Sequence, residues 1–220
     1  MDFPEVEAFV ERLISEAQIA ISYKVLCKRL NEDERVPVTY DQTYEAHGFN
    51  LSRVAVDNSL TLSLTRLNES GDNVASIPGF IEIFVAENEL IAQRIFEDRL
   101  KWEDEDESRG HMKERLATIE AACNEHSDLL TSHQWGRVKE FRHRYVAHNA
   151  VNTDKIQMPK YRYLYELCDR TTSIITTISQ STIGLSPSLD RFEQNWTDYA
   201  EKFFDSMIAW NAKDTDGDGM

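Results

Sequence analysis

The sequence predicts an all-α protein, built as an up-and-down helical bundle with one additional C-terminal helix. Apolar residues recur at three- and four-residue steps along almost the whole chain, which is the period of an α-helix. No segment shows the alternation of apolar and polar residues that is typical of a strand. The 220 residues include only 8 Gly and 5 Pro, which excludes a turn-rich sandwich or barrel.

Several of the expected helices carry a recognisable start signal. Pro4 stands in the first turn of the first helix, Ser76 is suited to cap the third, and Ser188 is suited to cap the last. The expected helices cover residues of about 4–31, 51–69, 77–100, 112–130, 135–148, 160–182 and 188–213. The segments between them are a long connection at 31–50 with room for a short helix, a turn region at 70–79, a charged interruption at 102–110, and a loop at 149–159.

These helices are expected to form one domain over residues 1–213, with a core at about 5–182 and a C-terminal helix at about 188–213. The last helix has a regular apolar stripe that predicts a packing face, within the protomer or against a second one. The stripe consists of Phe192, Trp196, Tyr199, Phe203, Met207 and Trp210. Residues 214–220 are predicted to form a disordered acidic tail.

Charge and composition exclude several classes of protein. The formal net charge of −15 argues against a protein that coats nucleic acid through bulk positive charge and against a basic membrane-surface helix. No apolar run approaches the roughly 18 residues of a membrane span, and the acidic N-terminus does not resemble a signal peptide. The three scattered cysteines predict reduced core thiols, so we expect a cytoplasmic protein without a membrane partner.

One segment of this acidic chain, residues 135–149, concentrates positive charge. Its basic side chains are Arg137, Lys139, Arg142 and Arg144, with one acid among them and two histidines, His143 and His148, beside them. Such a local excess of positive charge is suited to bind an anion.

On a helical wheel, Arg142 falls within the apolar face that includes Trp135, whereas Arg137 and Arg144 lie toward solvent. A guanidinium on an apolar face indicates either a buried ion pair, a side chain that reaches out to water, or a functional cavity. His148 is either a C-terminal histidine favoured by the helix dipole or a second site residue. On a continuous helix it would lie roughly 9 Å from Arg142 along the axis and about 120° around it, so a two-fold axis could build one shared site from two copies.

The octapeptide RHRYVAHN, residues 142–149, resembles the signature of HEPN domains. It has the arginine, five intervening residues and the histidine of the "R-D-K-x-x-A-H" form found in the abortive-infection, AbiU-like branch. His143 and Arg144 occupy the second and third positions. LTLSLTRLNES (60–70) is similar to a helix that precedes the motif in that branch, with Asn68 and Glu69 near its expected acid, and 161–179 resembles the helix that follows it.

The resemblance implies a HEPN-type bundle that forms a homodimer, and in many members a metal-independent endoribonuclease of phage-defence or toxin–antitoxin systems. It implies that Arg142 and His148 are the catalytic pair, with RNA as substrate, a 2′,3′-cyclic phosphate as product, and no cofactor. An antitoxin or another defence protein would be a partner. The remaining polar residues of the segment are candidates for binding substrate: Arg137, Lys139, His143, Arg144 and Asn149.

No metal site is expected. Cys123, His126 and His133 lack a fourth ligand at a natural spacing for zinc, and we interpret them as ordinary helix residues. The segment 214–219 copies the start of a calcium loop but ends before the bidentate acid that the loop requires.

Two other hypotheses stay open. The negative charge would also suit a catalytically inactive HEPN module that binds a protein partner or a nucleotide. It would equally suit an acidic protein that mimics nucleic acid or neutralises a basic partner through its clusters at 102–107 and 214–218.

Overall fold

The structure, a computed structural model, describes residues 1–40, 46–71, 74–143 and 159–215, without the side chains of residues 40 and 211–215. All regular elements within these ranges are helices, which confirms the all-α prediction. They are α1 (Phe3–Glu32), α2 (Arg35–Tyr40), α3 (Ala46–Asn68), α4 (Ile77–Ala86), α5 (Asn88–Leu100), α6 (Glu105–Thr131), α7 (His133–Phe141), α8 (Tyr161–Ile183) and α9 (Leu189–Thr215).

Helix α1 lies at the centre of the bundle. Asp2 accepts a hydrogen bond from the backbone N–H of Glu5, and the Glu5 side chain accepts one from the backbone of Asp2, so a capping box starts the helix. The helix packs against α3, α8 and α9, while α8 packs against α6, and α6 in turn against α5. Short α7 rests on α3, α6 and α8, which attaches the basic segment to the main core.

A buried polar network ties α1, α3 and α8 together. Asp57 of α3 is buried and accepts hydrogen bonds from the Cys27 thiol at 3.1 Å, the Asn31 amide at 3.1 Å and the Tyr161 hydroxyl at 2.9 Å. Burial of a carboxylate is costly unless hydrogen bonds replace its water, and three donors do so here. Because Tyr161 is the first residue of α8, this network fixes the start of α8 against α1 and α3.

Three of the predicted helix boundaries were wrong. Helix α3 begins at Ala46, not near residue 51, and the helix expected at 77–100 is two helices separated at Glu87, whose backbone leaves the helical region. Helix α6 begins at Glu105, inside the segment interpreted as a charged interruption. There Asp104 caps the helix through the Glu107 N–H, and the acidic residues that follow favour a helix N-terminus.

The later helices lie close to their predicted positions. Helix α8 is helical through its Thr- and Ile-rich end and stops at Gly184, which adopts the left-handed conformation that commonly ends helices. The stripe on α9 packs only in part. Phe192, Trp196 and Met207 of the stripe pack against the core together with buried Ala200 and Phe204, so the contact face covers one side of the predicted stripe.

The other side of α9 exposes Tyr199, Phe203 and Trp210. The helix continues to Thr215, and residues 216–220 of the predicted tail lie outside the described residues. Among the helices that the structure describes, none has the length and apolar character needed to cross a membrane.

Candidate functional site

Helix α7 supplies the first half of the basic segment. The Ser132 hydroxyl accepts a hydrogen bond from the Trp135 N–H at 3.2 Å, which starts the helix two residues earlier than predicted. Trp135, Val138 and Phe141 are buried, so the apolar face predicted for this helix is confirmed over the described residues. That face fixes the rotation of the helix and therefore the directions of its basic side chains.

Arg142 follows α7 at the edge of this apolar face. Its backbone stays helical, and its side chain is 36% exposed, so the guanidinium is neither in the core nor fully in water. Its Nε is buried and has no hydrogen-bond partner among the described residues. The nearest described acid is Glu69, whose Oε2 lies 3.8 Å from Nη1.

Lys139, one turn earlier, faces the same carboxylate, with 3.6 Å between its Nζ and Oε1 of Glu69. Both distances exceed the length of a normal hydrogen bond, so the attraction is electrostatic and leaves hydrogen-bonding capacity on the two cations. We refer to Glu69, Lys139 and Arg142 as the Glu69 cluster. The three groups bring one negative and two positive charges together at the surface.

Glu69 is held in place by the end of α3. Its backbone N–H donates to the Thr65 carbonyl at 2.9 Å. The neighbouring Asn68 is buried and donates to the Leu64 carbonyl and to the Thr171 hydroxyl on α8. Of the two residues that the sequence placed near an expected acid, Asn68 is therefore a core residue and Glu69 is the one that meets Arg142.

The other candidate residues are not all placed. Arg137 is half-buried, although the wheel assigned it to the solvent side, and His143 is exposed. Arg144, His148 and Asn149 lie outside the described residues. The structure thus brings Lys139 and Arg142 together, while the relation of Arg142 to His148 stays a prediction.

Beside the Glu69 cluster is a cleft of about 550 Å³ between the end of α3 and helices α4, α6 and α7. Glu69 and Lys139 belong to its lining, so the cleft and the cluster share one surface. Its lining also includes His126 of α6, which is 1% exposed. Burial lowers the pKa of His126 to about 4, which keeps the imidazole neutral near pH 7.

Sequence reasoning gave His126 no role beyond that of a helix residue, and no sequence signal marks it, because its burial depends on how α6 meets α4 and α7. Cys123, considered with it for zinc, is half-buried, and burial raises the pKa of its thiol to about 11. In the part of the chain that the structure describes, no group of three or more His, Cys, Asp or Glu side chains is arranged to hold a metal ion.

A protein-family model described as AbiU2, of the HEPN type, matches residues 3–203, which is most of the chain. The chain belongs to the HEPN AbiU2 family. Membership in the HEPN AbiU2 family implies a role in abortive-infection defence. Searches of curated proteins and of solved structures found no match.

Proposed function

We propose that this HEPN AbiU2 protein is a metal-independent endoribonuclease that acts as a homodimer in phage defence or in a toxin–antitoxin type system. Arg142 and His148 of each protomer are the catalytic pair of a composite site. Lys139, Arg137, His143, Arg144 and Asn149 hold the RNA around the scissile phosphate.

The observation that carries this proposal is the state of Arg142. A guanidinium presents five N–H donors, and here the Nε is buried without a partner while Glu69 stays 3.8 Å from Nη1. A phosphate that entered the Glu69 cluster would receive the two-pronged hydrogen bonding that arginine favours. Lys139 would add a second positive charge from the same side.

The reaction follows from the two side-chain types. The 2′-oxygen of a ribose attacks the adjacent phosphorus, the bond from phosphorus to the 5′-oxygen breaks, and the products carry a 2′,3′-cyclic phosphate and a 5′-hydroxyl. A histidine with an ordinary pKa near 6.5 is suited to take the proton from the 2′-hydroxyl or to return one to the leaving 5′-oxygen. Arg142 stabilises the extra negative charge that develops on the phosphoryl oxygens.

The proposed homodimer brings Arg142 and His148 to one phosphate, which a single chain would not do. If the helix continued from Arg142 to His148, the two residues would be separated by roughly 9 Å along the axis and about 120° around it. They would then not meet on one phosphate from the same chain. A two-fold axis beside this segment brings the histidine of one protomer toward the arginine of the other.

Cleavage of total RNA in the presence of EDTA tests the proposal. We expect the wild-type protein to cleave and to leave cyclic-phosphate ends. Arg142→Ala and His148→Ala should each lower the rate by at least about 100-fold, because each removes a group that acts on the reacting phosphate.

Two surface substitutions serve as matched controls. Arg170 of α8 forms a long ion pair with Glu125 of α6, and His111 pairs with Glu103 near the start of α6, so each of the two has an ion-pair partner outside the Glu69 cluster. Arg170→Ala and His111→Ala should cleave as fast as wild type. Equal cleavage by all five proteins would assign the activity to another site, and no cleavage by wild type would contradict the proposal.

One observation favours the second candidate, an inactive HEPN module that binds a partner such as an antitoxin. The exposed aromatic residues of α9, which are 59–69% exposed, offer an apolar docking face on a chain of net charge −15. Binding through this face should change little with salt, whereas RNA binding should weaken steeply as salt rises. Titration of RNA and of a purified partner over a salt series separates the two functions.

A further inference from the structure

The cleft beside the Glu69 cluster has the size and walls of a small-molecule site. Its volume of about 550 Å³ lies within the range of about 300–1,000 Å³ that is usual for ligand pockets. Pro78 and Ile81 of α4, Leu130 of α6 and Trp135 of α7 give it apolar walls. These walls are suited to a flat, largely apolar ring.

Its polar lining includes an unsatisfied buried group. The Nε2 of His126 is buried and has no hydrogen-bond partner among the described residues, although buried polar atoms in proteins are nearly always paired. The low pKa of His126 makes the imidazole neutral, so Nε2 can donate or accept one hydrogen bond according to its tautomer. This atom lies behind the surface of the cleft, so the imidazole must turn toward the cleft before a polar atom of a ligand can pair with it.

The charges of the lining select the kind of ligand. Glu69 lies at the end nearest Arg142, and exposed Glu82 of α4 lies on another wall. The charge of Glu69 is offset by Lys139 and Arg142, whereas the exposed carboxylate of Glu82 repels a phosphate and accepts hydrogen bonds from N–H groups. The cleft therefore favours a neutral ring that bears N–H donors, while the phosphate is left to Lys139 and Arg142.

We propose that this cleft binds a nucleobase with an exocyclic amino group, namely adenine, cytosine or guanine, from the nucleotide next to the scissile phosphate. Glu82 accepts from the amino group, His126 pairs with a ring or exocyclic polar atom, and the apolar walls contact the faces of the base. Because Glu69 and Lys139 line both the cleft and the phosphate-binding cluster, one nucleotide spans the two. This inference rests on the proposed function, and it makes the cleft the source of base preference.

Binding of nucleosides, which carry no phosphate, tests the cleft separately from catalysis. Adenosine, cytidine, guanosine and uridine are titrated into the full-length protein, and dissociation constants are measured by saturation-transfer NMR. We expect at least one amino-bearing nucleoside to bind about tenfold more tightly than uridine. His126→Phe should weaken that binding about tenfold, as expected for the loss of one buried hydrogen bond.

Glu82→Gln is a second variant, and its exposed position makes it independent of any effect of His126→Phe on folding. It should weaken the same nucleoside but leave uridine unchanged. Glu89→Gln, an exposed acid in the first turn of α5, and His133→Phe, an exposed histidine at the start of α7, are the matched controls and should bind as wild type does. If the wild type binds no nucleoside, or if both cleft variants bind as tightly as it does, the proposal is overturned.

Sequencing of the cleaved RNA ends gives the second readout. Wild type should prefer an amino-bearing base on one side of the cut, and the preference should fall toward that of random cleavage in His126→Phe and Glu82→Gln. Nucleoside binding without RNA cleavage would support the cleft and refute the ribonuclease. Cleavage with no base preference would refute the cleft and leave the ribonuclease standing.

Discussion

The buried imidazole of His126 makes the stability of this protein depend on pH in a defined direction. In the unfolded chain the pKa of this histidine has its ordinary value of 6.5, whereas burial lowers it to about 4 in the folded protein. Between these values the unfolded chain binds a proton that the folded protein does not. The contribution of the neutral, buried His126 to stability is therefore fully present above pH 6.5 and is lost as the pH falls toward 4.

The size of this effect follows from the two pKa values. Between pH 7.5 and pH 4.5 the linkage destabilises the fold by about 2.5 kcal/mol, at 1.36 kcal/mol for each unit of difference in pKa. For a chain of this length that corresponds to about 5 to 10 °C in Tm. His126→Phe keeps a ring of similar shape and removes the titrating group, so this part of the pH dependence should disappear.

Thermal unfolding of wild type and His126→Phe at the two pH values measures the effect, and the difference between the proteins isolates His126 from the carboxylates that also titrate. At pH 7.5 the variant should be as stable as wild type or more stable, because a buried nitrogen without a partner is replaced by carbon. His133→Phe, at an exposed position of α7, should follow wild type. If the Tm of wild type and the Tm of His126→Phe fall by the same amount between pH 7.5 and pH 4.5, the burial of a neutral His126 is refuted.

Three further substitutions test the network, a helix start and the Glu69 cluster. Tyr161→Phe removes a hydrogen bond of 2.9 Å to the buried carboxylate of Asp57 on α3. In a urea titration it should lower the free energy of unfolding by about 1.5–3 kcal/mol. The control Tyr163→Phe should change this free energy by less than about 0.5 kcal/mol. Asp104→Ala should cost about 1 kcal/mol through loss of the α6 cap, read as a lower Tm, and an unchanged Tm would contradict the assigned helix start. Glu69→Gln removes the carboxylate that competes with phosphate for Lys139 and Arg142. It should tighten the binding of a non-cleavable 2′-deoxy RNA analogue several-fold at low salt. Weaker binding would show that Glu69 positions Arg142 instead.

Much of the fold can be predicted from the sequence because the period of a helix and its capping residues are local signals. Pro4 and Ser76 mark helix starts that the structure confirms, whereas Ser132, the residue that caps α7, was assigned to a turn. The acidic run after residue 102 was misread as an interruption, although Asp104 followed by three acids is the electrostatic pattern of a helix N-terminus. The break at Glu87 carries no glycine or proline, so it is set by packing that sequence alone does not reveal.

The candidate site, too, could be predicted only where it depends on local sequence. Local spacing placed Arg142 within the apolar face of α7, and the family motif singled it out. The structure has it at the edge of that face, with its side chain 36% exposed. Its meeting with Glu69 joins residues far apart in the chain, and so does the cleft that His126 lines. Such contacts depend on the relative placement of α3, α6 and α7, which no short sequence pattern encodes. For the same reason the sequence left open whether the stripe of α9 packs within the protomer or against a second one, since a stripe shows which residues are apolar but not which of them are covered.

Mixing two inactive variants tests the composite homodimeric site most directly. Arg142→Ala and His148→Ala proteins are unfolded together, refolded as a mixture and assayed for RNA cleavage in EDTA against each variant alone. If the arginine of one protomer acts with the histidine of the other, half of the dimers are mixed and each holds one intact site, so the mixture should regain about one quarter of wild-type activity. A mixture no more active than its separate components, prepared beside a wild-type sample that regains full activity after the same treatment, would contradict the account.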